Sequence, residues 1–239
     1  MPVVQHLTSE VHLKIVYYGP GLGGKTTNLK WVHANSRPEL RGRLLSLATE
    51  TERTLFFDLL AVDLGAFRGY TIRLHLCTVP GQIAYDETRR LVLRHVDGVV
   101  FVVDSQANAL DDNVDAIRNL EANLLLQGEN PDLLPLVVQY NKRDLPGVLP
   151  VEDLRAALRV QEGVPEVEAV AVRGEGVFET LKAITKSCLA LVGDPKKLPN
   201  GRSPSILPGA RASMYPGGRP EAVVVPKAPR APRFDEGDE

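Results

Sequence analysis

Eight residues, Gly19-Pro20-Gly21-Leu22-Gly23-Gly24-Lys25-Thr26, constrain this chain more than any other stretch. They satisfy the spacing G-x-x-x-x-G-K-[ST] at every fixed position. In that pattern backbone N–H groups cradle phosphates, the Lys neutralises the outer phosphates and the Thr hydroxyl meets Mg²⁺. The flanks supply the frame the pattern needs. Val11 to Tyr18 reads as a β-branched and aromatic strand, and Thr26 to His33 as a helix, which sets an anion on a helix N-terminus. Gly19, Gly21 and Gly24 also spell the weaker G-x-G-x-x-G of a dinucleotide turn. That reading requires a second strand with an acidic end about 20 residues on, where the chain instead runs Asn35-Ser36-Arg37-Pro38. A plain chain reversal is the third reading of the same glycines.

Composition removes several classes. With 239 residues and 44% hydrophobic content the chain has ample material for one packed core. A net charge of −2 gives no overall basic field for nucleic acid, so no nucleic-acid partner is expected. Cys77 and Cys188 lie far apart, and Cys77 falls inside an apolar run, so both are expected reduced and buried. No apolar stretch reaches 18 residues, and no charged-then-apolar leader opens the sequence. An integral membrane segment is therefore not expected, and the chain reads as cytoplasmic and monomeric.

Along the chain, strands alternate with helices. Apolar strand runs fall at 11–18, 55–62, 71–79, 99–103, 136–140 and 167–172, with Arg68-Gly69-Tyr70 reading as a hairpin turn. Helical spacing covers the stretch after Thr26, then Val114 to Leu124 stopped at Gly128, Val151 to Leu158 after Pro150, and Val177 to Val192. The expected fold class is α/β: a doubly wound, mostly parallel six-stranded sheet with helices on both faces, spanning residues 1–192. From Gly193 the composition changes. The 47 residues from 193 to 239 (239 − 193 + 1) hold nine of the 18 prolines and one short apolar run, Val223-Val224-Val225. Such a tail is expected to stay disordered. Within it, Pro226 to Arg233 has the composition of a polyproline II segment able to dock a groove, against the plainer reading of a solvated spacer.

Three further signals fall at the ends of expected strands, where such sheets bind ligands. Asn141-Lys142-Arg143-Asp144 fits N-K-x-D. A carboxylate at Asp144 can accept two hydrogen bonds from guanine N1–H and its 2-amino group, a pair that adenine lacks. Asn141 can bridge loops, and the Lys142 stem can cover the ring. Alone the motif is a polar turn; after a buried strand and downstream of Gly19–Thr26 it selects GTP over ATP. Pro80-Gly81-Gln82 offers an amide for a γ-phosphate and a Gln to orient water, or a simple turn. Thr54 is placed to sense Mg²⁺ in the presence of a γ-phosphate, with Thr49 and Thr51 competing on spacing, and Arg53 beside it reads equally as a surface charge.

Residues from about 10 to 192 resemble the small Ras-like GTPases, and within them the bacterial MglA group. The runs Lys14 to Leu22, Thr49 to Asp58, Thr78 to Gln82 and Gln139 to Pro146 carry the resemblance. It implies a GTP-binding, slowly hydrolysing switch of cell polarity and motility. It further implies GTP/GDP and Mg²⁺ as ligands, a Roadblock-type (MglB-like) homodimer as GTPase activator, and effectors at the switch regions, Glu50–Phe57 and Pro80–Arg90. On the family pattern Gln82 and Arg53 are catalytic, Arg53 as an arginine finger held in cis. Gly19, Gly21, Leu22, Gly23, Gly24, Lys25, Thr26, Thr27, Thr54, Gly81, Asn141, Lys142, Asp144 and Ala171 bind nucleotide, Ala171 through its backbone, and Thr26 with Thr54 hold the metal. The chain departs from the wider Ras pattern at Thr78, where D-x-x-G carries an Asp that holds Mg²⁺ through water. Weaker Mg²⁺ binding and slow intrinsic hydrolysis are the expected consequences. The reading from another class is a non-hydrolysing adaptor that docks partners through Leu55, Phe56, Phe57 and Tyr85.

Overall fold

The computed structural model describes residues 3–5, 8–48, 54–80 and 86–192; at 3, 4, 47, 48, 54–56 and 192 only the backbone is described. The tail from Gly193, Arg53, Gly81, Gln82, Tyr85 and the competing Thr49 and Thr51 lie outside the described residues.

One sheet carries the fold. Its strands are β1 (Val3–Gln5), β2 (Glu10–Tyr18), β3 (Leu45–Ala48), β4 (Thr54–Phe67), β5 (Tyr70–Thr78), β6 (Gly98–Asp104), β7 (Leu136–Asn141) and β8 (Glu166–Glu168). Among the described residues five α-helices follow or separate them: α1 (Lys25–Asn35), α2 (Asp86–Leu93), α3 (Leu110–Leu126), α4 (Val151–Leu158) and α5 (Val177–Val192). The strand order is β3-β4-β5-β2-β6-β7-β8, with β1 beside β2. The pairs β2–β5, β2–β6, β6–β7 and β7–β8 are parallel, and β1–β2, β3–β4 and β4–β5 antiparallel. The doubly wound reading holds, but among the described residues the sheet has eight strands where six were expected. The two extra ones are short: β1 adds three residues against Glu10–His12, and β3 lines the outer edge of β4. Neither is long enough to show a period in the sequence. The last strand is likewise shorter than 167–172, because beyond Glu168 the chain turns over the sheet end into the loop before α5.

Helices cover both faces, so the central strands are buried throughout. All seven residues of β6 are buried, the mark of a parallel strand sandwiched between layers. The two-residue period of a strand then divides the core. Val11, Leu13, Ile15 and Tyr17 of β2 and Val100 and Val102 of β6 pack with Leu29 and Val32 of α1 and Leu181 and Ile184 of α5. Val16 and Tyr18 of β2 and Val99, Phe101 and Val103 of β6 pack with Val92 of α2, Leu120 and Leu124 of α3, and Leu154 of α4. Both cysteines are free and buried. Burial pushes the Cys77 thiol up to about 11 and that of Cys188 up to about 12, so neither ionises near neutrality. Cys188 donates to Asp97 O at 3.3 Å.

The hairpin at 68–69 is as expected, with Arg68 (φ +52°) and Gly69 (φ +83°) both left-handed, the geometry whose twist matches the flanking strands. A second irregularity follows. Phe67 pairs with Tyr70 and Ala66 with Thr71, but Asp63 pairs with Arg73 and Leu59 with Cys77. One extra residue on β4 makes a β-bulge at Leu64-Gly65, with Gly65 at φ +88°. It moves every residue of β4 beyond it by one position, and Asp58 is placed by that shift.

Candidate nucleotide site

The C-terminal ends of β2 and β5 are level, with Tyr17 opposite Thr78, and so are those of β6 and β7, with Asp104 opposite Asn141, while β6 runs on to Asp104 beyond Phe101, the partner of Tyr18. The loops leaving these ends form one crevice, as the strand order predicts. The glycine loop leaves β2 and enters α1 at Lys25, with Gly24 at φ +104° immediately before the first turn. The loop is close-packed from below. A Cβ on Gly19 (φ +136°) would lie 2.2 Å from Val102 O, and one on Gly24 would lie 2.1 Å from Asn141 Nδ2. Gly19→Ala therefore combines a backbone clash with a disfavoured φ, and we expect it to destabilise the fold by about 2–4 kcal/mol. Urea unfolding of the variant checks this.

Lys25 is buried and folds along the loop, its Nζ donating to Gly19 O (2.9 Å) and Pro20 O (2.5 Å). Burial, with Arg89 nearby, lowers its pKa to about 7, while Asp58 acts in the opposite direction. A lysine lying along the loop beside an uncapped helix N-terminus suits a polyphosphate.

Asn141 joins the glycine loop to the loop after β8 across the crevice. Its Nδ2 donates to Gly23 O and its Oδ1 accepts from Ala171 N, both at 2.9 Å. The bridging role read from the sequence is thus seen directly. Ala171, expected to meet the base through its backbone, donates its N–H to Asn141 Oδ1 and anchors that side chain. Lys142 sits at φ +66° and reaches back to Asp104 Oδ2 at 2.5 Å, which fixes its stem across the crevice. Asp144 is exposed at the mouth. Arg143 holds this loop in place by donating to Leu149 O (2.7 Å) and Glu168 (2.8 Å). Beneath the crevice, Asn28 and Gln139 exchange two hydrogen bonds (2.8 and 2.9 Å), and Gln139 also donates to Thr180 Oγ1 (2.9 Å). All three are fully buried. This closed network ties α1, β7 and α5 together under the loops; nothing in a single-strand pattern marked it.

The metal side brings the main surprise. Thr26 Oγ1 donates to Asp58 Oδ2 at 2.6 Å, and Thr78 Oγ1 donates to the same oxygen at 2.8 Å. Asp58 N in turn donates to Thr78 Oγ1 at 2.8 Å, and Ser46 Oγ donates to Asp58 Oδ1. Asp58 is completely buried. Its parity in β4 matches Leu60 and Val62, which face α1, and so does that of Thr78 with Leu76 in β5. A carboxylate from the neighbouring strand thus lies against Thr26, with the Thr78 hydroxyl holding it. Oxygen donors from Thr26 and Asp58 fit a small hard cation such as Mg²⁺. Thr54 begins β4, pairing with Ala48, at the same edge; Thr27 follows in α1, and Gly21 and Leu22 are exposed at the loop tip. Phe57, counted among the adaptor's docking aromatics, packs partly buried against the core.

Comparison with known proteins agrees with this geometry. Residues 2–188 match the ADP-ribosylation factor family. The chain is 51% identical over 189 residues to the mutual gliding-motility protein MglA of Myxococcus xanthus, covering 79% of this chain and 96% of that protein. It is 30% identical over 187 residues to human ADP-ribosylation factor-like protein 4C, covering 74% of this chain and 87% of the relative.

Proposed function

Because the chain belongs to the ADP-ribosylation factor family of small GTPases and is MglA-like within it, we propose that it is a slow, partner-assisted GTP switch of the kind that sets bacterial polarity and motility. The observation that supports this most is the pair of Asn141 hydrogen bonds, which couple a guanine-reading loop to a phosphate-binding loop. In this reading Lys25 and the amides of Gly21 to Thr26 bind the phosphates. Asp144 reads the base edge and the Lys142 stem covers its ring. Thr26 is the metal's direct ligand, with Thr54 joining it in the GTP state. Asp58 orients the Thr26 hydroxyl and would hold water on a bound metal. Mg²⁺ neutralises charge on the β- and γ-phosphates. A carboxylate beside Thr26 supports a metal affinity closer to that of relatives with an Asp in D-x-x-G than Thr78 alone implies.

Gly81 and Gln82 meet the γ-phosphate and the attacking water, and Arg53 stabilises charge as bonds change. An arginine finger contributes roughly 10³–10⁵ in rate, so turnover is slow until a partner fixes Arg53 in place. A Roadblock-type homodimer is the proposed partner, and effectors engage Glu50–Phe57 and Pro80–Arg90. The described part of the second region is already anchored: Arg89 donates to Pro80 O at 3.4 Å and to Asp86, which accepts from Asn119 (3.0 Å) and Asn123 (3.1 Å) of α3.

Two tests follow. Arg53→Ala and Gln82→Ala will keep GTP affinity and lose the stimulated turnover, about 10³-fold for Arg53→Ala. Single-turnover assays with the partner present read this, and normal stimulated rates in either variant remove that residue from the mechanism. Asp144→Asn will exchange guanine preference for xanthine, because the amide Nδ2 presents a donor where guanine's 2-amino group also donates, whereas xanthine carries an accepting oxygen there. Competition between GTP and xanthosine triphosphate measures it, and unchanged preference for GTP refutes the base-reading role.

A further inference from the structure

A groove of about 700 Å³ lies between the tip of the β4–β5 hairpin and α5, outside the nucleotide site. Leu64 and Phe67 wall one side, and Phe178, Leu181 and Leu189 the other. The spacing of α5 sets its chemistry. Phe178, Leu181, Thr185 and Leu189 recur at intervals of three and four residues and share a face, while Lys182 and Lys186, four apart, stand along the rim with Arg68. Leu64 is 46% and Phe178 41% exposed, large apolar side chains left facing solvent. No Asp or Glu is among the described residues that line the groove. An occupant of matching chemistry brings an apolar side chain flanked by negative charge.

We propose that the groove receives the chain's own residues 233–239, with Phe234 between Phe67 and Phe178, and Asp235, Glu236, Asp238 and Glu239 against Arg68, Lys182 and Lys186. Among residues 193–239 this is the one stretch that joins an aromatic to a run of acids. Tyr215 has no acidic neighbour, and Val223–Val225 has only Glu221 close by. The connection is long enough. From Val192 to Phe234 is 42 residues (234 − 192), and a flexible chain of that length would span roughly 36 Å root-mean-square at about 5–6 Å × √n. Phe178 lies 14 residues back along α5 (192 − 178), roughly 21 Å at about 1.5 Å per residue. Tethering holds the segment near its target at an effective concentration approaching the millimolar range. A contact too weak to form between separate molecules is then populated. Exposed ion pairs contribute little singly, so Phe234 supplies the anchor and the acids the orientation, and the contact weakens as salt rises.

The test uses the full chain with p-benzoylphenylalanine in place of Phe234. After irradiation, peptide mapping is expected to place the cross-link within one molecule, on residues 64–68 or 178–190, at a yield independent of protein concentration. The double variant Lys182→Glu, Lys186→Glu will lower that yield about tenfold, and 0.5 M salt will lower it several-fold. Both lysines are exposed, and an unchanged melting temperature confirms that the double variant is folded. Cross-links scattered over the surface, cross-links joining two copies, or a yield insensitive to the charge reversal overturns the proposal. So does the same cross-link formed equally well with the photoreactive residue at Val224. None of these readouts depends on nucleotide, so failure here leaves the GTPase reading standing.

Discussion

Asp58→Asn will make nucleotide release insensitive to Mg²⁺. The full chain loaded with a fluorescent GDP should release it slowly in Mg²⁺ and quickly once the metal is chelated. The variant should release it quickly under both conditions, with the metal's affinity down about 10²-fold, the upper range for losing a group that orients a metal ligand. Asn fits the same space and keeps one acceptor oxygen, and the hydroxyls of Thr26, Thr78 and Ser46 can rotate to meet its amide. The fold therefore survives while the negative charge beside Thr26 is lost. Thr78→Val, which removes only the hydroxyl that steadies the carboxylate, should have the same direction and a smaller size. If chelation still accelerates release from Asp58→Asn to the wild-type extent, the carboxylate on β4 has no part in the metal site.

Asn141→Ala will lower nucleotide affinity on the order of 10²–10³-fold. The side chain is buried and makes two hydrogen bonds, one to each loop of the crevice. Its loss strands Gly23 O and Ala171 N–H, at about 1–3 kcal/mol for each buried group left unpaired. Part of the cost falls on stability, so thermal unfolding without added nucleotide should drop as well. Asn141→Asp separates the two contributions. It keeps an acceptor for Ala171 N–H but sets an oxygen against Gly23 O, and should weaken binding as severely as Ala does. Equilibrium titration with a fluorescent guanine nucleotide measures both variants, and affinities within threefold of wild type would dismiss the bridge as incidental.

The contrast between these two residues shows what the sequence could disclose. Asn141 was legible because its motif is local. Four consecutive residues after an apolar strand specify a chemistry, and the parallel pairing of β6 with β7 brings them to the crevice whatever the details of the edge strands. The glycine loop was legible for the same reason, and the spacing of its glycines is explained by the Val102 carbonyl and the Asn141 amide that press on them. Asp58 was not, although an acid inside Leu55-Phe56-Phe57-Asp58-Leu59-Leu60 is an anomaly that asks for a partner. Finding that partner needs the register of β4 on β5. Counted back from the turn at Arg68-Gly69 without a bulge, Asp58 falls opposite Val79 and faces the other side of the sheet. The extra residue at Leu64-Gly65 brings it opposite Thr78 instead. A single bulge, encoded by little more than one glycine, thus decides that the Asp58 carboxylate meets Thr26 and Thr78.

The edges of the fold were hard to read for a related reason. β1 and β3 are three and four residues long, too short for periodicity, and they exist because β2 and β4 offer unpaired backbone. The network of Asn28, Gln139 and Thr180 was hidden as well. Its members sit on three elements far apart in sequence, and each alone looks like an ordinary polar interruption of an apolar pattern.

The most direct measurement on the central claim is to identify what the full chain carries. Nucleotide released from the purified protein is quantified by chromatography, before and after incubation with Mg²⁺. A GTP switch whose metal site is completed by Asp58 should carry close to one guanine nucleotide per chain. Loaded with GTP, it should convert that nucleotide slowly to GDP in the presence of the metal and stop when the metal is chelated. An adenine nucleotide, no nucleotide at all, or GTP that persists unchanged in Mg²⁺ even with an activating partner would contradict the account, the last of these pointing to an adaptor.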